Sequence, residues 1–222
     1  MLADADVAPV AALLGDPARA RMVQALHDGR ALPAGELARR AHVAASTASE
    51  HLARLVDGGL LAVERTGRHR YFRLANAEVA HAVEALATIA PRMRPHTLRE
   101  ATAGDALAEA RTCYDHLAGR LGVALAEALL AQGAVVDRGD TFALGPNAGA
   151  VLELLGVEAL PRRRPAVLRC LDWSERRPHV AGGLGGAVCA HALAAGWIER
   201  LPTSRAVRLT PAGRKGFASL GV

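Results

Sequence analysis

Residues Gly35–Leu74 read GELARRAHVAASTASEHLARLVDGGLLAVERTGRHRYFRL. The stretch falls into three pieces. In GELARRAHV (35–43), Leu37 and Ala41 share one face of a short helix and Val43 closes a turn. In AASTASEHLARLVDGG (44–59), Leu52, Leu55 and Val56 share a face at spacings of three and four, the mark of a helix with one buried side. Ser46, Thr47, Ser49, His51 and Arg54 occupy the other face. This helix is expected to span about 14 residues, roughly 21 Å. Gly58-Gly59 ends it, because glycine takes a left-handed cap without a Cβ clash. In LLAVERTGRHRYFRL (60–74), Leu60, Ala62 and Glu64 alternate against Leu61, Val63 and Arg65, as strand residues do. The Gly-centred tip carries Arg68, His69 and Arg70.

A helix, a tight turn, a second helix and a basic hairpin predict a winged helix-turn-helix. In such a module, hydroxyls near the start of the second helix meet phosphates or base edges, and an arginine grips guanine through two bonds. Ser46, Thr47, Ser49, His51 and Arg54 are therefore candidate DNA contacts, and Arg68, His69 and Arg70 suit a wing laid on the phosphate backbone. The competing reading is a small α/β unit with a solvated basic hairpin. The combination of parts is more specific than any one of them.

The run STASEHLARLVDGGLLAVERTGRHRYFRL (46–74) resembles the ArsR/SmtB family of bacterial winged-helix repressors, and the resemblance extends over roughly Leu13–Ile89. It implies a homodimer that binds double-stranded operator DNA and releases it when a ligand or oxidant arrives. A two-fold dimer calls for an inverted-repeat operator. The resemblance also implies that the first helix and the helix after the wing pair the subunits. Many members sense metals, through a Cys-x-Cys pair in the first reading helix or a His/Asp set on the helix after the wing. Here GELARRAHV has no cysteine, and NAEVAHAVEALATIA (76–90) offers only Glu78, His81 and Glu84. The usual metal sites of that family are not supported.

The 222 residues suffice for two small domains, and 51% hydrophobic content with 3% aromatics means cores of Ala, Leu and Val. A net charge of +5 suits an acidic partner such as nucleic acid. Of the 27 basic residues only Lys215 is lysine, which reads as GC-rich coding bias. Cys113, Cys170 and Cys189 are too few and too scattered for a secreted disulfide framework. No signal peptide and no membrane-spanning run is recognisable, so a reduced, cytoplasmic protein with no membrane partner is expected. No nucleophile elbow, phosphate loop or metal-hydrolase motif is present, so no enzyme is expected. GGLGGA (182–187) is read as part of a helix that lacks the strand and acidic residue of a dinucleotide fold.

Around the central module, Asp16-Pro17 predicts an N-capped helix whose core side carries Met22, Val23 and Leu26. Arg19 and Arg21 lie at its start as solvated or phosphate-facing residues. Asn76 caps a helix to about Ala90 with a stripe of Val79, Val83, Leu86 and Ile89. The domains expected are 1–90 for DNA binding and dimerisation, a partly helical linker at 91–110, and a C-terminal sensor domain at 111–222.

The sensor half is duplicated. HLAGRLGVALAEALLAQGAVV from His116 matches HVAGGLGGAVCAHALAAGWIE from His179 at an offset of 63. A strand-tip-strand follows each copy, and the endings LGPNAGAVLELLGV (144–157) and LTPAGRKGFASLGV (209–222) match at an offset of 65, so the second tip is two residues longer. Helix, hairpin and closing helix form a degenerate winged-helix pattern in each of two repeats, about 111–160 and 170–222. The fold class expected is mainly α with small β-hairpins (α+β): a winged helix-turn-helix followed by two winged-helix-like repeats. Neither repeat shows a polar reading helix, and Arg162–Arg164 reads as a solvated run or linker.

Two segments concentrate reactive side chains: Arg111–His116 and Cys170–His179. The duplication relates His116 to His179, with Cys113 and Cys170 nearby; Cys113 and His116, three apart, are read as sharing a helix face. Three chemistries stay open. Cys113, His116, Cys170 and His179 with Asp172 suit a soft or borderline metal. An arginine near Cys113 or Cys170 would favour a thiolate and oxidant sensing. Tyr114 and Trp173 could wall a small-molecule pocket in which Arg176 or Arg177 grips an anion. A purely structural use of these residues competes with all three, and Cys189 is read as core. DNA binding itself needs no cofactor. The expected function is a homodimeric repressor released by a metal, oxidant or small molecule; the alternative is a non-specific architectural DNA binder without ligand response.

Overall fold

In the computed structural model, which describes residues 5–91, 97–202 and 204–222, the chain divides after Val83 into two units with separate packing. The first unit contains α1 (Ala8–Leu14), α2 (Pro17–Ala25), β1 (Leu32–Pro33), α3 (Ala34–Ala41), α4 (Ala45–Asp57), β2 (Leu61–Thr66) and β3 (His69–Leu74). The strands form an antiparallel sheet in the order β1-β3-β2. This is the expected winged helix-turn-helix.

Asp16 opens α2 as the sequence predicts: its Oδ1 accepts from the backbone N–H of Ala18 and Arg19, both at 2.9 Å. Met22, Val23, Leu26, Leu37, Ala41, Leu52 and Leu55 are all but fully buried. Each of the larger side chains contributes roughly 1.5–3 kcal/mol by leaving water. After α3 the chain turns through His42 in the left-handed region (φ 58°), and Val43 N–H donates to Ala38 O at 3.1 Å. The two glycines after α4 serve different needs. Gly59 adopts φ 73°, whereas a Cβ on Gly58 would meet Leu13 Cδ1 at 2.1 Å. One expectation fails here. Arg19 is neither solvated nor free for phosphate, because its guanidinium donates to Leu13 O (2.6 Å) and Ala12 O (2.9 Å) and satisfies the exposed carbonyl end of α1.

The helix after the wing, α5 (Ala77–Ile89), crosses the division between the units. Residues 92–96 of the expected linker lie outside the described residues, and α6 (Leu98–Glu109) occupies the rest, capped by Thr97 Oγ1 accepting from Glu100 N–H.

The second unit then runs β4 (Arg111–Cys113), β5 (His116–Ala118), α7 (Gly119–Ala131), β6 (Val135–Asp137), β7 (Phe142–Leu144), α8 (Ala148–Leu154), β8 (Leu168–Leu171), β9 (Pro178–Ala181), α9 (Gly182–Ala194), β10 (Ile198–Arg200), β11 (Val207–Leu209) and α10 (Pro211–Ser219). Each repeat is thus hairpin, helix, hairpin, helix. The duplication read from the sequence is present, with α7 and α9 both 13 residues long at the offset of 63.

The leading hairpins correct the sequence reading. The segment around Cys113 was expected to continue a helix, with His116 and His179 opening the next one. Instead the chain is extended there, and all three chemistry-bearing positions are in strands. The reason is tertiary. Thr112 N–H donates to Arg205 O (3.0 Å) and Val207 N–H to Ala110 O (2.9 Å), so the second repeat draws this segment into extended pairing. Tyr114 at φ 57° makes the tight tip. Cys113 and His116 therefore face each other across a hairpin and do not share a helix face. GGLGGA likewise opens α9 directly after a strand, but β8 and β9 form an antiparallel hairpin, not the parallel strand-helix-strand of a dinucleotide fold.

The repeats interlock. α7 packs on β9 and α9 on β5, so each repeat's helix covers the other's hairpin. Glycine permits this twice. A Cβ on Gly122 would lie 2.5 Å from Leu117 O and touch His179 Cβ at 3.6 Å; one on Gly185 would lie 2.3 Å from Val180 O and 3.1 Å from His116 Cβ. One shared core joins the two halves, with Leu121, Leu125, Leu129 and Phe142 from the first packed with Val180, Leu184, Val188, Ile198 and Phe217 from the second. Among the described residues no helix is long and apolar enough to cross a membrane.

Candidate functional site

The reading helix α4 buries Ala48, Leu52 and Leu55 and turns its polar face outward. Ser46, Ser49 and Arg54 are exposed, and Thr47 and His51 are half-buried. Ser49 Oγ donates to Ala45 O at 2.9 Å, leaving its lone pairs outward. His51 Nε2 lies 3.9 Å from the Asp16 carboxylate, so this histidine is tied partly to the α2 cap. No side chain caps α4, whose first N–H groups lie at the positive end of the helix dipole.

On the wing, Arg68, His69 and Arg70 are exposed as expected. The register adds Arg65, which sequence reasoning did not single out. Arg65 stands directly opposite Arg70, and Thr66 opposite His69. Like charges facing each other across an antiparallel pair are destabilising. A hairpin that keeps such a pair exposed gains from a polyanionic partner.

In the second unit, Cys113 lies opposite His116 in the first hairpin and Cys170 opposite His179 in the second. The two pairs converge. The ligand-type atoms of Cys113, His116, Cys170 and His179 all lie within 4.8 Å of one another, and all four residues are buried. The histidine rings meet Nε2 to Nε2 at 3.2 Å, with centroids 5.1 Å apart. Each ring's other nitrogen faces a carboxylate: His116 Nδ1 is 3.3 Å from Asp115 Oδ1, and His179 Nδ1 is 3.5 Å from Asp172 Oδ2. Burial opposes a charge on His116, but Cys113 and Asp115 outweigh it and raise its pKa to about 9.

The surrounding residues hold this arrangement. Asp172 is fully buried and accepts from Arg111 Nη2 (2.9 Å), Gly119 N–H (2.7 Å), Ser174 N–H (2.9 Å) and Oγ (2.6 Å), and Glu175 N–H (3.0 Å). Burial would raise the Asp172 pKa, yet Arg111 and these donors bring it down to about 2. Asp115 is likewise held at about 2, with burial opposed by His116 and Arg164. Arg164 is therefore not a solvated run residue: it pairs with Asp115 and donates to Gly182 O at 2.8 Å. Trp173 lies under Arg111, whose Cζ is 4.7 Å from the ring centroid. Tyr114 is half-buried at the first tip, and Arg177 is exposed and pairs with Glu127. Cys189 sits in the apolar core, its thiol pushed up to about 12 by burial. Asp115, Arg111 and Arg164 were missed as site residues. Their signal would have been the strand pairing, which the sequence conceals.

Residues 14–64 match the helix-turn-helix domain family described for such modules. Over 96% of its length the chain is 42% identical to an uncharacterized HTH-type transcriptional regulator, YdfF, of Bacillus subtilis (strain 168), covering 95% of that protein. Among solved structures, the transcriptional repressor BigR from Xylella fastidiosa is 30% identical over 39% of this chain and 88% of its own, with a TM-score of 0.36. The cadmium metal-sensor CMTR from Mycobacterium tuberculosis is 31% identical over 40% of this chain and 93% of its own, with a TM-score of 0.33. With a winged helix on the page and a relative matched over 96% of the chain, the chain belongs to the HTH-type transcriptional regulators.

Proposed function

We propose that the protein is a homodimeric repressor that reads an inverted-repeat operator with α4 and the wing of each subunit, and that its C-terminal unit receives the signal that releases it. The observation that carries the DNA reading is the outward polar face of α4, with Arg54 exposed, beside a wing whose Arg65 and Arg70 face each other. Ser46, Thr47 and Ser49 meet phosphates or base edges, His51 flanks them, Arg54 reads a base, and Arg68, His69 and Arg70 grip the backbone. Dimerisation is supported by apolar side chains left open at the start of α1, on α1 and on α5: Val7 and Val10 are 71% and 42% exposed, Leu86 and Ile89 47% and 80%. These are the two helices that pair subunits in the family the sequence resembles.

Fluorescence anisotropy on DNA from upstream of the protein's own coding region, against scrambled DNA of the same length, tests the reading. Selective binding with two chains per duplex is expected. Equal affinity for both DNAs would replace the repressor with an architectural binder. Removing residues 104–222 should leave weakened DNA binding without response to any effector; a truncated protein that still responds would remove the C-terminal unit from the signalling role.

A further inference from the structure

We propose that Cys113, His116, Cys170 and His179 form a closed four-ligand site for one soft or borderline divalent cation of the zinc class, shared equally by the two repeats. This inference does not depend on the repressor reading, since every ligand belongs to the second unit and none to the reading helix or wing.

The geometry fits such an ion before any adjustment of the backbone. In a zinc tetrahedron with Zn–N of about 2.0–2.1 Å and Zn–S of about 2.3 Å, the N···N edge is about 3.3 Å and the S···S edge about 3.8 Å. The two Nε2 atoms stand 3.2 Å apart, and all four ligand atoms fit within 4.8 Å. Two thiolates and two neutral imidazoles around a dication sum to no net charge, which suits residues that are at most 7% exposed. The donors are sulfur and imidazole, while the carboxylates stand outside. That set favours zinc, cadmium or cobalt over magnesium or calcium, whose sites are built from oxygen. Four protein ligands leave no open position, so the site holds an ion and does not catalyse.

The outer ring supplies the second argument. A carboxylate facing Nδ1 favours a proton on Nδ1, the tautomer in which Nε2 presents its lone pair. Asp115 asks this of His116 at 3.3 Å; the Asp172 carboxylate stands 3.5 Å from His179 Nδ1, which makes no hydrogen bond. The two Nε2 atoms stand 3.2 Å apart, so with both rings neutral and carrying the proton on Nδ1 two lone pairs would face each other. A cation between them relieves that repulsion and is held by both; the rival arrangement is a proton shared between the rings. Asp172 is itself held by Arg111 and Gly119 N–H from the first repeat, so the second sphere also crosses the duplication.

Full-length protein, stripped of metal under reducing conditions and titrated with cobalt(II), tests the proposal. The expected result is one cobalt per chain, with the strong visible absorption of a tetrahedral ion and thiolate-to-metal charge transfer in the near ultraviolet, both displaced by zinc. Asp115→Asn should weaken cobalt binding about 10- to 100-fold, and Cys113→Ser or Cys170→Ser should weaken it further and reduce the charge-transfer band. Cys189→Ala should leave the spectrum unchanged. Because a cysteine variant can fail to fold, the wild-type titration stands as its own test. A wild-type protein that takes up no stoichiometric cobalt, or gives only the weak absorption of an octahedral ion, overturns the proposal and leaves the shared proton. So does a folded Cys113→Ser, Cys170→Ser double variant that retains the tetrahedral spectrum.

Discussion

The reading helix α4 and the repeat helices α7 and α9 are the same length, 13 residues, and each is followed by a hairpin. They do opposite things with their surfaces. α4 buries three residues and presents Ser46, Ser49 and Arg54. α7 and α9 bury seven each, with glycines among the buried residues of their first turns. The hairpins differ in the same sense: β2 and β3 are six residues long and end in a basic tip, whereas β6, β7, β10 and β11 have three each. One helix-and-hairpin plan therefore serves recognition when a wide face is left out of the core, and mutual packing when more of the helix is buried.

That contrast breaks most sharply at Asp172. Asp172→Ala would take from the fully buried Arg111 its shorter carboxylate partner, leaving Glu84 at 3.4 Å, and should cost about 3 kcal/mol of stability in a denaturant titration. A loss under about 1 kcal/mol would show that the pair contributes little to the interlocked repeats. Gly185→Ala comes next. Its Cβ would lie 2.3 Å from Val180 O, so about 3 kcal/mol should be lost. An unchanged thermal midpoint would mean that the helix-on-hairpin crossing is looser than it looks. Arg54→Ala should invert the pattern, with stability intact but operator affinity reduced by roughly 1–3 kcal/mol. An equal loss on scrambled DNA would make Arg54 a phosphate contact. Arg68→Ala and Arg70→Ala should each lower the salt slope of binding by about 1; unaltered slopes would take the wing off the DNA.

The smallest effect concerns the α2 cap. Asp16→Ala should cost about 1 kcal/mol at neutral pH. The Asp16 pKa is lowered, chiefly by the Arg19 N–H bond. A depressed folded pKa means that the stabilisation is complete above the ordinary carboxylate value near 4 and disappears as the pH falls through the lower folded value. Wild type and variant melts should therefore converge on acidification. A gap that persists in strong acid would separate the cap from the carboxylate charge.

The same contrast explains what the sequence could disclose. The winged helix was legible because one face of α4 is polar, the other apolar, and the hairpin alternates; periodicity carries the answer. The duplication was legible through shared glycines and histidines at one spacing, and the four Cys and His residues through their density. The hairpins that bring them together were not. β4 and β5 are three residues each and lie between alanine-rich helices, too short for a period to show. Their tip is Tyr114-Asp115, without the Asn-Gly signature of a two-residue turn. Arg19 and Arg164 read as solvated because burial of an arginine depends on carbonyls and carboxylates supplied from elsewhere in the chain.

Finally, the two leading hairpins are unequal. The first turns in two residues, Tyr114 and Asp115; the second adds the strand pair Leu171–Pro178 and six turn residues from Asp172 to Arg177, so the offset between the copies falls from 63 at the histidines to 57 at the cysteines. In a pair of identical subunits every substitution is made twice, and a loop lengthened on one side must be accommodated on both. Tandem fusion lifts that constraint. One half can keep a minimal turn while its sister acquires the carboxylate and indole that hold Arg111, and the pair can neither dissociate nor exchange partners. Its symmetry has become an inheritance that each half is free to depart from.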